Sequence, residues 1–167
     1  MYAALDPHGS FIETFGQATG IRSLSSAGLK EHGLATLNLG RRLRLIDLTA
    51  PGALARIGAD SRLFAGERER AQLWAKAFYD DPLLALDGIL YPARHDPART
   101  SAAIFDKEAK IEAGDCRPWH DGGSLRPLLA QILDYYGFSL IETITAPPSK
   151  KGPGRETEMP IQQNLFE

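Results

Sequence analysis

Residues 71–106 read AQLWAKAFYDDPLLALDGILYPARHDPARTSAAIFD. The hydrophobic pattern changes twice within them. Ala71, Trp74, Ala75 and Phe78 fall at offsets 0, 3, 4 and 7, one face of a helix that the charged run from Glu67 would start. Asp81-Pro82 ends it, because proline has no N–H to donate and disfavours helical geometry in the residue before it. Gly88 to Tyr91 is then short and apolar, a strand bounded by turn residues. It runs into Arg94, His95 and Asp96, a charged turn closed by Pro97, and Ser101 to Phe105 forms a further strand. A helix that must bury one face, followed by short strands, predicts an α+β domain rather than regular βαβ repeats.

The flanks extend this pattern. Towards the C-terminus, LRPLLAQILDYYG places Leu125, Leu128, Leu129, Ile132 and Tyr136 at offsets 0, 3, 4, 7 and 11 of a second amphipathic helix. Gly137 suits its end, and FSLIETI reads as a last strand. Towards the N-terminus, MYAAL is a strand that opens abruptly, and Asp6-Pro7 is a turn able to start a helix. That helix carries Phe11, Ile12 and Phe15 on one face, with Glu13 away from its middle. Residues 20–33 read mostly as loop. LATLNL and RLRLIDL read as two strands separated by Gly40-Arg41, with Thr49 capping a short helix through Ile57. From Ala146 proline, glycine and charge take over. The expected folded unit is residues 1–145, with residues 146–167 a disordered tail.

Composition bounds the function. In 167 residues, 43% are hydrophobic, so a core can be built. The formal net charge of −2 argues against a surface made for nucleic-acid backbones, though not against a small basic pocket for one anionic ligand. Cys116 is the single cysteine, which fits a reduced, cytoplasmic setting. There is no signal-peptide pattern, and no apolar run reaches the ~18 residues of a membrane helix.

Few residues announce chemistry. No phosphate-loop or dinucleotide-loop motif is present. Cys116 and His120 have no second ligand pair, so no metal site is expected. His8 and His32 lie in polar, loop-like contexts and read as solvated. Taken alone, Glu13 is a surface glutamate, and Arg94 with Asp96 is a local ion pair in an exposed turn.

The ordered set of blocks resembles the RES-domain family, named for its Arg, Glu and Ser positions: bacterial toxins of toxin–antitoxin pairs that degrade NAD, with a core related to ADP-ribosyltransferases. YAALDPHGSFIET resembles the family's tyrosine strand and glutamate helix, and LRLIDLT its next strand. Residues 71–106 resemble its helix, Gly-Ile/Leu-x-Tyr strand and Ser-Arg-His-Asp turn, and LLAQILDYYGFSLI its closing helix and strand. The resemblance implies an NAD cleft. Tyr2 would hold the nicotinamide riboside end, and Glu13 would favour an oxocarbenium-like transition state. Ala93, Arg94 and His95 would line the dinucleotide, with arginine suited to phosphate by its planar fork. The implied reaction breaks the nicotinamide–ribose bond, with phosphate, water or a protein as acceptor. NAD is then a substrate, no resident cofactor or metal is needed, and the implied protein partner is an antitoxin.

Two departures accompany the resemblance. The family's arginine precedes its tyrosine on a strand that is absent here, which implies either a late start or a truncated, decaying copy, and an unpaired sheet edge. Its serine aligns with Ala93, so of the three naming residues only Glu13 remains. In the tail, QQNLF at 162–166 fits Q-x-x-L-F, a pattern that resembles the sliding-clamp docking peptide and implies a contact there.

Overall fold

The computed structural model describes residues 1–142, apart from 19, 106–110 and 121–122. The expected tail at 146–167, with its pentapeptide, lies outside the described residues. The elements in chain order are β1 (Tyr2–Ala4), α1 (Pro7–Phe15), β2 (Ser23–Ser25), α2 (Ser26–Lys30), β3 (Gly33–Leu39) and β4 (Leu45–Asp47). Next come α3 (Ala53–Arg56), α4 (Arg62–Ala65), α5 (Arg68–Asp80), β5 (Gly88–Pro92) and β6 (Thr100–Ile104). The chain ends with β7 (Ile111–Pro118), α6 (Arg126–Tyr136) and β8 (Ser139–Ile141). The domain is α+β.

A four-stranded sheet ordered β1-β6-β5-β4 is the platform for the candidate site. β6 runs antiparallel to both neighbours, while β4 and β5 are parallel. The register pairs Tyr2 with Ala103, Ala4 with Ser101, Ile89 with Ala103 and Tyr91 with Ser101. Since side chains alternate along a strand, these six residues share one face. Trp74, Ala75 and Phe78 of α5 pack on that face with Ile46, Leu86 and Ile89, as the helical period requires. Ala102 and Ile104 bury the opposite face with Leu43, Leu90 and Ile111. A separate core joins α1 to α6 through Phe11, Ile12, Leu129 and Ile132, with Trp119 and Phe138 edge-on to Phe11.

The helix ends follow the local sequence. Asp6 caps α1, its carboxylate accepting the Gly9 N–H at 2.9 Å, with Pro7 in the first turn. Gly137 ends α6 at φ +67°, a left-handed geometry that glycine adopts without Cβ strain, while the Phe138 N–H donates to the Leu133 carbonyl at 2.8 Å.

Two local expectations give way, and two pairings join segments distant in sequence. Residues 20–33 are not mainly loop: Ser25 caps α2, and β2 forms because β8, more than a hundred residues later, pairs with it in parallel. β3 and β4 are not neighbours, since β3 pairs with β7 and β4 with β5. β7 reads as polar sequence and is made a strand by its backbone ladder with β3. Thr49 does not cap α3. Its N–H and hydroxyl both donate to Asp47, and the helix starts after Gly52 at φ +74°.

Asp87 ties the β3–β4 connection to the start of β5. It is 9% exposed, accepts two bonds from the Arg41 guanidinium at 2.6 and 2.9 Å, and accepts the Arg44 N–H at 2.7 Å. The Arg41 bonds, then the Arg44 bond, hold its carboxyl at about 2 against the usual 3.8, although burial pushes the other way. A depressed folded-state pKa stabilises above the unfolded value, and this stabilisation is lost as pH falls from about 4 towards 2. Arg41 is more than a third exposed, so water screens the pair. Between pH 6 and pH 2 the protein is expected to lose about 1–2 kcal/mol more stability than Asp87→Asn, measured by denaturant unfolding.

Candidate functional site

The face bearing Tyr2, Ala4, Ser101, Ala103, Ile89 and Tyr91 floors a cleft of about 740 Å³. One wall is α1, through Ser10, Glu13 and Thr14, with Gln17 just beyond its end. The other is α4 and α5, through Phe64, Arg68, Gln72 and Trp74. Arg94 also borders the cleft. A second cavity, also about 740 Å³, adjoins it and is lined mainly by the segment from Leu48 to Ala59, Phe64 and the turn after β5. Leu48, Phe64, Pro92 and Arg94 border both, so the cavities meet there.

Glu13 is the acidic side chain of the cleft. Its helix period turns it away from Phe11 and Ile12, which face the core, and towards the turn after β5. There the His95 backbone N–H donates to Glu13 Oε1 at 3.0 Å. One oxygen is thereby fixed, and the carboxylate keeps its remaining acceptor capacity for a ligand. Tyr91 lies on the floor nearby. Burial, then the Glu13 charge, then Tyr2 push its phenol up, and a hydrogen bond from Ser101 opposes this in part. The phenol therefore stays protonated at neutral pH and offers an O–H to a ligand.

The expected site residues divide. Tyr2, Glu13 and Arg94 border the one cleft. Tyr2 is 73% exposed, on β1 at the edge of the sheet. Ala93 is 1% exposed and lines the second cavity, with its N–H donating to the Arg99 carbonyl at 2.8 Å. His95 contributes its backbone amide, and it borders neither cavity. Arg94 does not pair with Asp96, because Asp96 is taken by Tyr136 and Arg99. Sequence reasoning missed Tyr91 and Ser101. Their signal was the two-residue period, which puts Tyr91 on the face of Ile89.

The RES domain family model matches residues 1–124, about three quarters of the chain. The chain belongs to the RES-domain family. At family level this membership supports an NAD-related, toxin-type function. The match covers β1 to β7 and so contains every residue that borders the cleft, while α6 and β8 follow it. No curated protein and no solved structure matches the chain. Among the described residues no helix is long and apolar enough to cross a membrane, and no three His, Cys, Asp or Glu gather as metal ligands.

Proposed function

We propose that this RES-domain protein cleaves the nicotinamide–ribose bond of NAD. The observation that carries this reading is the Glu13 carboxylate, fixed by the His95 amide at the wall of a cleft whose size suits a small molecule. As the C–N bond breaks, its electron pair leaves with nicotinamide, which departs neutral, and positive charge grows on the ribose. A carboxylate placed beside that charge gains interaction in the transition state. Phosphate or water then bonds to the same carbon, and a proton is lost from the attacking water. Two joined cavities suit a molecule with two heads, and Arg94 at their junction suits the pyrophosphate between them. Tyr2 and the Tyr91 hydroxyl flank the reacting end. A small antitoxin protein is the partner that the family membership suggests.

Incubation with NAD, with and without inorganic phosphate, is expected to release nicotinamide, followed by chromatography. No release under either condition overturns the reading. The phosphate dependence of the product separates phosphorolysis from hydrolysis.

A second reading has its own observation. Ala93 presents a methyl group where a hydroxyl would donate, and it does so from a buried position. On this reading the protein binds NAD or antitoxin without turnover. Calorimetric NAD binding with no nicotinamide released would favour it. If the methyl limits catalysis, Ala93→Ser raises kcat/KM by about tenfold, the worth of one hydrogen bond made in the transition state. An unchanged kcat/KM means that the methyl is not what limits the site.

A further inference from the structure

The turn after β5 meets α1 at two places. Towards the C-terminal end of the helix, the His95 N–H holds Glu13 at 3.0 Å. At its start, Arg99 Nη1 lies 3.5 Å from Oδ1 of Asp6, the residue that caps the helix. Asp96 sits between these contacts and organises the turn. Its Oδ1 accepts the Ala98 N–H at 3.1 Å, and its carbonyl accepts the Arg99 N–H at 2.9 Å. Its Oδ2 accepts the Tyr136 hydroxyl at 2.8 Å and lies 3.4 Å from Arg99 Nε. That Nε is buried and makes no hydrogen bond, so its link to Asp96 is ionic only. The short bond to Oδ2 therefore comes from Tyr136, reaching across from α6. Burial, then the bond to Asp96, push the Tyr136 phenol well above its ordinary value, so it remains a donor at neutral pH.

We propose that Tyr136 is a positioning residue: by fixing Asp96 it sets the turn so that the N–H of the preceding residue, His95, holds the Glu13 carboxylate at the cleft. The effect on catalysis rests on the reading of Glu13 given above, whereas the brace itself does not. Tyr136 lies beyond residue 124, outside the part of the chain that the family model matches. Glutamate has three side-chain torsions, and a carboxylate that drifts by about 1 Å from its working position can cost a hundredfold in rate. A hydrogen bond to a charged group is the stronger kind, and this one joins the turn to α6.

The test compares the full chain with Tyr136→Phe, which keeps the ring and removes the hydroxyl. Amide hydrogen exchange is followed at His95 and at core amides of β5 and β6. The expected result is about tenfold faster exchange at His95, with the core amides unchanged. In NAD cleavage kcat falls about tenfold, and KM stays within twofold. Asp96→Asn weakens the links to both Tyr136 and Arg99, and it is expected to accelerate His95 exchange at least as much. Unchanged His95 exchange in both variants overturns the proposal. So does an equal rise at every core amide, which marks a structural role alone. If the unsubstituted protein cleaves no NAD, the functional reading fails while the exchange data still decide the brace.

Discussion

Glu13→Gln is expected to lower kcat for nicotinamide release by about 10²–10³-fold, with KM and melting temperature little changed. Glutamine has nearly the shape of glutamate, and its amide oxygen can accept the His95 N–H that Oε1 accepts now. The NH₂ group then takes the place of the second carboxylate oxygen. A donor carrying partial positive charge would face a ribose that is itself becoming positive. The substitution thus leaves the ground-state contacts in place and reverses the sign of the interaction that grows along the reaction. A measured kcat within threefold of the unsubstituted protein would remove Glu13 from the chemistry.

Gly88→Ala is expected to have the largest effect on stability. A Cβ at residue 88 would stand 2.3 Å from the Ala103 carbonyl oxygen, 3.0 Å from Leu45 Cδ2 and 3.1 Å from Ile104 Cα. Two of these atoms are backbone of the adjacent strand, so no rotamer change relieves the clash. β5 and β6 must separate at the end of the ladder opposite the turn that bears Arg94 and His95. Such overpacking costs about 3 kcal/mol, or roughly 10 °C in melting temperature, readable by thermal unfolding. The same residue substituted without loss of stability would show that the two strands are not packed at this distance. Glycine at the start of GILYP is thus a condition for the sheet that floors the cleft.

Residues 71–106 were largely legible, because each signal in them is local. A helical face needs only the spacing of Ala71, Trp74, Ala75 and Phe78, and the break needs only Asp81-Pro82. The caps at Asp6 and Gly137 are equally local, each depending on a residue's own geometry and its near neighbours. The candidate site was legible only in part. Glu13 stood out through its place in the ordered pattern, whereas Tyr91 and Ser101 gave no sign beyond strand alternation. The role of His95 was hidden for a different reason. Its contribution is a backbone amide, which every residue except proline possesses, so its side chain carries no trace of it.

The sequence by itself determined the helix faces, the strand–turn–strand core and the family. These follow from periodicities and special residues that act over about ten positions. The tertiary structure alone decided which distant segments meet: β2 with β8, β3 with β7, Glu13 with an amide 82 residues away, and Tyr136 with the turn beneath it. Backbone ladders are made between groups that nearly every residue carries, and a side-chain hydrogen bond does not announce its distant partner. Their partners are fixed by packing of the whole chain, once the apolar faces written in the sequence have been buried.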